Sequence, residues 1–351
     1  MPFNNALQCI GNTPIVRLSK FEKLCSAELY GKLEFMNPGG SVKDRIGYYL
    51  IEDAEKRGVL KPGGTIVEAT SGNTGIGLGM AAAIKGYKAV FVLPDKMSAE
   101  KINFLRAFGA EVVITPSGVE PTDPRSHYSV ARKIASETAN SFLVNQYDNL
   151  ANREAHYEKT GPEIWAQFPE LDAVVAGMGT GGTLCGTGRF LKEKKKTIQL
   201  VCADPVGSII YDVFKHGKAL SPAGPYKIEG IGEDFIPKNF DLDLLDEVVQ
   251  VQDVASMNCA RSLLLEEGLF VGTSSGACLA AAIQWANTLP NQGKGLKILI
   301  FLPDSGDRYM SKLWNDEWMS ENGLMTPESK PMPKVSLWKD AKAPFGLKIK
   351  L

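Results

Sequence analysis

The chain has 351 residues, of which 44% are hydrophobic and 23% are charged, and its formal net charge is −1. This length predicts about two globular domains, and the near-neutral charge argues against nucleic acid or a membrane surface as the main partner. There is no signal segment and no apolar run near the ~18 residues that span a bilayer. The six cysteines form no C-x-x-C pair. We therefore expect a cytoplasmic protein without a disulfide framework.

Short runs of β-branched residues alternate with longer helix-like stretches along most of the chain. The predicted strands lie at residues 65–69, 89–93, 111–115, 173–176, 200–203 and 298–302. The predicted helices that follow the first four strands lie at residues 75–85, 99–108, 127–138 and 184–195. Because these strands are apolar throughout, the alternation predicts an α/β fold of parallel sheets with helices on both faces. After about residue 324, Pro and Lys become frequent, which predicts a tail.

The first distinctive motif is NPGGSVKDR at residues 37–45, a glycine turn followed by a predicted helix that begins near Ser41. Lys43 is then close to the helix N-terminus, where the helix dipole disfavours a positive charge. We expect this placement to lower the pKa of Lys43, which suits a lysine that forms a Schiff base. Taken alone, the motif is equally compatible with an exposed lysine beside Asp44 and Arg45.

Three more turns rich in glycine and hydroxyl side chains precede predicted helices. In TSGNTG, residues 70–75, backbone N–H groups can seat a carboxylate, and the Asn73 amide can reach a phenolic oxygen. The turn GMGTGGT, residues 177–183, can cradle a phosphate by the same physics. In GTSSG, residues 272–276, a serine hydroxyl can bond a pyridine nitrogen. Ordinary helix capping remains an alternative for the first and third turns.

The turn at residues 177–183 has a second interpretation. Gly177, Gly179 and Gly182 fit G-x-G-x-x-G, and Asp204 follows about 20 residues later, as in a dinucleotide-binding fingerprint. The additional Gly181 and the separate Lys43 motif favour a single phosphate. The three histidines show no metal-ligand spacing, and we expect neither a metal site nor a serine hydrolase.

Taken in this order, the turns and Lys43 resemble the fold-type II pyridoxal-phosphate (PLP) enzymes, the tryptophan-synthase-β-like family, over roughly residues 4–320. The shared segments are GNTPIVRL (11–18), NPGGSVKDR (37–45), TSGNTGIGL (70–78), GMGTGGT (177–183) and GTSSGA (272–277). Within that family the chain looks most like the cystathionine β-synthase/cysteine synthase branch. The segments similar to that branch are IEDAEKRGVLKPG (51–63), PDKMSAEKINFLRAFGAE (94–111), NQYDNLANREAHY (145–157), ADPVGSI (203–209) and EGIGEDFIP (229–237).

This resemblance implies PLP as cofactor and a role for each site residue. Lys43 would hold PLP covalently, Asn73 would contact its phenolic oxygen, and Ser274 would contact its ring nitrogen. The residues that would hold the phosphate are Gly179, Thr180, Gly181, Gly182 and Thr183. The residues that would bind the substrate carboxylate are Thr70, Ser71, Thr74 and Gln146. The residues that would line the second-substrate side are Gly230 and Gly232, with Tyr147 nearby.

The same resemblance implies a domain arrangement and a reaction. Residues 1–44 with 151–324 would form the larger PLP-binding domain, residues 45–150 a smaller mobile domain, and residues 325–351 a C-terminal tail. The expected reaction is β-replacement, which condenses L-serine with L-homocysteine to L-cystathionine and water through an aminoacrylate; release of hydrogen sulfide is left open. The expected partners are small amino-acid and thiol substrates and a second copy in a homodimer.

The chain also departs from the animal and yeast synthases. Only ten residues precede Gly11, where the animal enzymes carry a haem-binding segment, so no haem is expected. The chain ends about where a pair of regulatory domains would begin, so none is expected. Glu233 stands where those enzymes have Tyr, which leaves the orientation of homocysteine open.

Three other functions stay open at this stage. One is a cysteine synthase that uses O-acetylserine and sulfide. Another is an oxidoreductase that binds a nucleotide at the turn 177–182, and a third is a catalytically silent scaffold. Intact Lys43, Asn73 and Ser274 argue against the scaffold.

Overall fold

The computed structural model describes residues 2–70, 72–95, 97, 99–120, 122–327, 329 and 331–332. The strands in this part of the chain are β1 (Ile15–Arg17), β2 (Glu28–Leu33), β3 (Thr65–Ala69), β4 (Lys88–Pro94), β5 (Glu111–Thr115), β6 (Ser141–Leu143), β7 (Ala173–Gly177), β8 (Gln199–Pro205), β9 (Glu247–Val251) and β10 (Lys297–Leu302). The helices are α1 (Lys43–Lys56), α2 (Asn73–Lys85), α3 (Ala99–Ala107), α4 (His127–Glu137), α5 (Ala151–Ala155), α6 (Gly161–Gln167), α7 (Gly182–Lys194), α8 (Ile210–His216), α9 (Asp253–Glu267), α10 (Thr273–Thr288) and α11 (Asp316–Glu321). Among the described residues, we find no helix with the length and apolarity needed to cross a membrane.

These strands form two sheets. The larger has the order β1-β2-β10-β7-β8-β9, and the smaller has the order β5-β4-β3-β6. Every neighbouring pair is parallel except β1 and β2, which are antiparallel. The predicted α/β fold is therefore confirmed, with one antiparallel edge strand that was not predicted. That strand has only three residues and is partly exposed, so it carries no buried apolar run.

Helices cover both faces of each sheet. Alternate residues of β7, β8 and β10 join two separate cores, one against α9 and α10 and the other against α7. In the smaller sheet, α4 packs on β3–β6, whereas α2 packs on β3 and β4 and is covered by α1. This two-sided burial explains why the strands read as continuous apolar runs.

The helix that begins with Lys43 lies directly against α2. A Cβ atom at Gly77 of α2 would lie only 2.6 Å from the carbonyl oxygen of Lys43, so only glycine permits this approach. The helix begins at Lys43, not near Ser41 as predicted. The reason is that Ser41 pairs with Asp304 in an isolated β-bridge and Val42 N donates to Pro303 O at 2.8 Å. The start of α1 is thereby attached to the end of β10.

The two sheets draw on different parts of the chain. Strands of the larger sheet come from residues 15–33 and 173–302, whereas those of the smaller sheet come from residues 65–143. The domain boundaries and the mobility of the smaller domain stay predictions. Beyond residue 324, the described residues contact the larger unit: Ser329 bonds Asn258, and Met332 N donates to Asp316 at 2.7 Å. The rest of the expected tail, residues 333–351, lies outside the described residues.

A buried ionic cluster fixes the first turn of α1. Arg45 Nε donates to Glu34 Oε2 at 2.7 Å, and Arg45 Nη1 donates to Glu163 Oε2 at 2.8 Å. Lys32 Nζ also contacts Glu163 Oε1, at 2.5 Å. Burial alone would raise the pKa of Glu163, but the neighbouring cations lower it to about 2. The cluster therefore joins β2, α1 and α6 through ionised groups.

We expect Arg45→Met to lower the free energy of unfolding by about 3–5 kcal/mol, because it leaves the Glu34 and Glu163 carboxylates buried without their partner. Urea unfolding followed by circular dichroism measures the loss. The matched control is Arg57→Met at the other end of α1, where Arg57 pairs with Asp53 at the surface. That change should cost less than about 1 kcal/mol. Equal losses in the two variants would contradict the prediction.

Candidate active site

The predicted site residues converge on one cavity of about 820 Å³ at the carboxyl ends of the parallel strands. The predicted residues that line it are Lys43, Thr70, Asn73, Thr74, Gln146, Tyr147, Gly179, Thr180, Gly181, Thr183, Gly230, Gly232 and Ser274. Gly182 does not line the cavity: a Cβ there would meet Asn152 Oδ1 at 2.1 Å. Ser71 lies outside the described residues. These predicted residues come from six separate stretches of the chain, which meet at one place.

Four lysines line this cavity, Lys43, Lys101, Lys227 and Lys312, and the one that begins α1 is Lys43. Its pKa is lowered chiefly by burial, while the carboxylates of Asp304 and Glu233 oppose that effect. The predicted direction is therefore right, but burial is the main cause rather than the helix dipole. A lower pKa leaves more of the amine neutral, and the neutral amine is the form that attacks a carbonyl carbon.

The Asn73 amide is oriented by a residue that sequence reasoning missed. Asn73 Nδ2 donates to Asp304 Oδ2 at 2.8 Å, and the Tyr309 hydroxyl donates to the same oxygen at 2.7 Å. Asp304 is fully buried, and its second oxygen, Oδ1, has no protein partner. These bonds orient the Asn73 side chain with its NH₂ group toward Asp304. The second N–H of that group can donate to another acceptor.

The turn between β7 and α7 has the geometry of an anion seat. Gly181 has φ +85°, and a Cβ there would lie 2.9 Å from Phe240 Cα, so the turn requires glycine. The first N–H groups of the 13-residue helix α7 have no intrahelical partners and can donate to an anion. Thr180 and Thr183 add hydroxyls beside them, and Asn152 Nδ2 donates to Thr180 Oγ1 at 3.0 Å.

A buried histidine supports this seat from behind, and sequence reasoning did not identify it. His156 begins a π-helical turn, and its Nε2 lies 3.2 Å from Thr183 Oγ1 while its Nδ1 lies 2.9 Å from Thr160 Oγ1. Burial, followed by the charges of Arg45 and Lys43, lowers its pKa well below the usual value. The ring is therefore neutral, with one donor and one acceptor nitrogen for the two hydroxyls.

Two predicted carboxylate-binding residues contact each other on the opposite side of the cavity. Thr74 Oγ1 donates to Gln146 Oε1 at 2.7 Å. The backbone at Gln146 is held by Glu68, which accepts its N–H at 3.2 Å, and by Asn239, which donates to its carbonyl oxygen at 2.9 Å. This corner is preorganised by bonds from Glu68 of β3 and from Asn239 in the loop before β9. Its binding of a substrate carboxylate stays a prediction.

These features match the functional groups of PLP. Lys43 offers an amine for the aldehyde carbon, and the N-terminus of α7 offers donors for the phosphate. The Asn73 amide, with its free N–H, suits the phenolic oxygen, and the buried Ser274 hydroxyl suits the ring nitrogen. The set of donors therefore fits this cofactor.

The structure argues against the alternative that the turn at residues 177–182 binds a nucleotide. Asp204, the residue that would bind a ribose, is fully buried at the end of β8. Its Oδ2 accepts the Tyr211 N–H at 3.0 Å, so this carboxylate caps the chain at α8. Across the described ranges, no cluster of three or more His, Cys, Asp or Glu residues has the geometry of a metal site.

Comparison with known proteins decides between the remaining families. A family profile described as "Pyridoxal-phosphate dependent enzyme" matches residues 6–304. The chain belongs to this family. It is 46% identical to cystathionine beta-synthase of Apis mellifera over 324 residues, which cover 92% of this chain and 63% of that protein. The chain thus spans less than two thirds of the length of this relative.

Two solved structures are similar to this PLP-family chain over nearly their whole length. One is a hydrogen sulfide-producing enzyme of Fusobacterium nucleatum, with 37% identity, a TM-score of 0.80 and coverage of 88% of this chain and 98% of that one. The other is an O-acetylserine dependent cystathionine beta-synthase of Helicobacter pylori, with 37% identity, a TM-score of 0.80 and coverage of 89% and 98%. Both support the fold described above.

Gly181→Ala should weaken PLP binding at least about tenfold, because the added Cβ displaces the turn that seats the phosphate. Titration of the PLP-free protein, followed by absorbance, measures the dissociation constant. The matched control is Gly217→Ala at the end of α8, where φ is +73° and no atom lies within 4 Å of the added Cβ. Both changes carry similar backbone strain, of roughly 1–2 kcal/mol, but only one lies at the seat. Equal affinities in the two variants would exclude the seat.

Proposed function

We propose that this protein catalyses PLP-dependent β-replacement and condenses L-serine with L-homocysteine to give L-cystathionine and water. The observation that carries the proposal is the single cavity that holds the Lys43 amine, the anion seat of α7 and the Thr74–Gln146 corner. Identity of 46% to a cystathionine beta-synthase over 92% of the chain supports the same reaction.

Each part of the cavity has a role in holding the reactants. Lys43 would hold PLP, Asn73 would contact its phenolic oxygen, and Ser274 would contact its ring nitrogen. The phosphate would be held by Gly179, Thr180, Gly181, Gly182 and Thr183. The chemistry supplied by bound PLP is withdrawal of electrons from the substrate Cα, so that an α-proton and then a β-substituent can leave. A neutral serine hydroxyl at the ring nitrogen makes a weaker electron sink than a carboxylate, which favours β-replacement over transamination.

The chain moves the proton and orients the substrate. Lys43 Nζ would take the α-proton and later return it to the same carbon. Overall, the Cβ–O bond of serine breaks and the hydroxyl leaves as water with the proton that the homocysteine thiol gives up, while the resulting thiolate forms the new Cβ–S bond. Thr70, Thr74 and Gln146, with Ser71 in the same motif, would hold the carboxylate and so orient the Cα–H bond.

A second candidate function uses the same site with another pair of substrates. This candidate is a cysteine synthase that uses O-acetylserine and sulfide. The similar Helicobacter pylori enzyme is named as an O-acetylserine dependent cystathionine beta-synthase, which supports O-acetylserine as the first substrate. The similar Fusobacterium enzyme is named as hydrogen sulfide-producing. If cysteine replaced serine as first substrate, the same β-replacement would release hydrogen sulfide.

The deciding experiment follows the visible spectrum of the PLP-loaded protein. L-serine or O-acetylserine is added first, then homocysteine or sulfide, and the products are identified by mass spectrometry. A spectral change with serine, followed by cystathionine after homocysteine, is the expected result. A response only to O-acetylserine, with cysteine formed from sulfide, would replace our assignment with the second candidate.

Lys43→Ala should abolish β-replacement and the covalent capture of PLP by borohydride, because no other residue would supply the amine at this point of the cavity. The mass of the reduced protein gives a readout that does not depend on turnover. The matched control is Lys56→Ala, which removes an exposed lysine from the other end of the same helix. Turnover retained in the Lys43 variant would refute the role of this lysine.

Assembly and location follow from the resemblance. We propose a cytoplasmic homodimer in which the smaller domain closes over bound substrate. Sedimentation of the PLP-loaded protein tests the dimer, and small-angle scattering with and without the first substrate tests the closure.

A further inference from the structure

Glu233 is a carboxylate inside the cavity that the proposed chemistry leaves without a role. It lines the cavity with Lys43 and Tyr147. Its Oε1 lies 3.6 Å from the position that a Cβ would occupy at Gly179, beside the anion seat. Among the described residues, no lysine or arginine forms an ion pair with it. Glu233 therefore forms no ion pair in this part of the structure, although it lies near enough to Lys43 to interact with its charge.

Hydrogen bonds fix the backbone on both sides of Glu233, so the point from which its side chain extends is defined. Glu233 N donates to Ser208 Oγ at 3.1 Å, and its carbonyl oxygen accepts the Ile209 N–H at 3.0 Å. The preceding Gly232 N donates to Met178 O at 2.7 Å, next to the turn that seats the phosphate. The loop at residues 230–233 is thus attached to the larger sheet, and Glu233 faces the cavity from that side.

The electrostatic surroundings of Glu233 favour a cationic ligand. Burial first, and then repulsion by Asp234, raises its pKa to about 8, although Tyr147 and Lys43 act in the opposite direction. Two further groups, Tyr128 and Tyr226, face the same carboxylate. A buried carboxylate without a full partner is costly to ionise, and a ligand cation would lower that cost.

The two candidate nucleophiles, homocysteine and sulfide, differ in whether they bring a cation to the position of Glu233. The first amino acid uses its amino group to bond with PLP and its carboxylate at the Thr74–Gln146 corner. Homocysteine, as the second substrate, brings another α-ammonium group, whereas sulfide brings none. Gly230 and Gly232, which the resemblance assigns to the second-substrate side, line the cavity together with Glu233.

We infer that Glu233 is a specificity-determining residue: it binds the α-ammonium group of an amino-acid thiol and selects such nucleophiles over sulfide. This inference rests on the proposed β-replacement. The ammonium group of homocysteine stabilises the ionised form of the Glu233 carboxylate, whereas the hydrosulfide anion brings no cation and is repelled by that charge, so one group favours the first nucleophile and disfavours the second.

The test compares three nucleophiles with whichever first substrate the wild-type protein uses. Homocysteine carries the ammonium group, 2-mercaptoethanol is a thiol without it, and sulfide is the small anion. In Glu233→Gln, kcat/KM for homocysteine should fall about 10- to 100-fold, mainly through KM, because a charge-assisted contact is lost. The value for 2-mercaptoethanol should stay within about threefold, and that for sulfide should stay equal or rise.

Two further variants complete the test. Glu233→Asp keeps the charge on a shorter side chain and should retain part of the preference for homocysteine. The matched control Glu137→Gln makes the same chemical change at an exposed carboxylate at the end of α4, outside the cavity, and should change no nucleophile by more than about threefold. The spectrum of bound PLP and the melting temperature should be the same in all variants, which separates specificity from damage to the site.

The contrary outcomes are distinct. An equal fall for all three nucleophiles in Glu233→Gln, or no fall for homocysteine, would overturn the role of Glu233 and leave the β-replacement standing. A wild-type protein that binds PLP but makes no β-replacement product with any nucleophile would overturn the proposed function and this inference with it.

Discussion

The position of Lys43 depends on the buried ionic cluster two residues further along α1. Arg45 reaches Glu34 after β2 and Glu163 on α6, so three segments distant in sequence meet at one guanidinium. Its planar set of donors can serve two carboxylates at once, which a lysine at this position could not do. Because Lys43 is the first residue of α1, the cluster that anchors α1 also fixes the position of Lys43 in the cavity.

Charge is distributed unevenly around the cavity, and this distribution suits the proposed cofactor. The carboxylates of Asp304 and Glu233 act on the Lys43 amine. The anion seat is formed instead by backbone N–H groups and by the hydroxyls of Thr180 and Thr183, the second of which contacts the neutral His156. A phosphate would therefore be held by dipoles, and the Lys43 amine would remain available for the reaction rather than paired with the phosphate.

Sequence patterns predicted those parts of the molecule that are determined locally. The strands at residues 65–69 and 111–115 coincide with β3 and β5, because buried parallel strands are continuous apolar runs between turns. The glycine-rich turns were also predicted, because each is determined by residues that are adjacent in the sequence. His156 and Asp304 were missed, since their roles depend on partners far away in the chain, Thr183 and Asn73. The strand β1 and the Arg45 cluster likewise exist only through tertiary contacts.

The sequence could not separate the possible substrates because the first amino acid is recognised through groups that all candidates share. In our proposal, discrimination between nucleophiles arises on the side of the loop at residues 229–233. There Glu229 accepts from Lys101 of α3 and from Lys312, both at 2.6 Å, which joins the smaller sheet unit to the larger one at the cavity. Partly exposed ion pairs contribute little stability, so this link can open and re-form at low cost. The loop that would choose the nucleophile thus also holds the contact that domain opening would break.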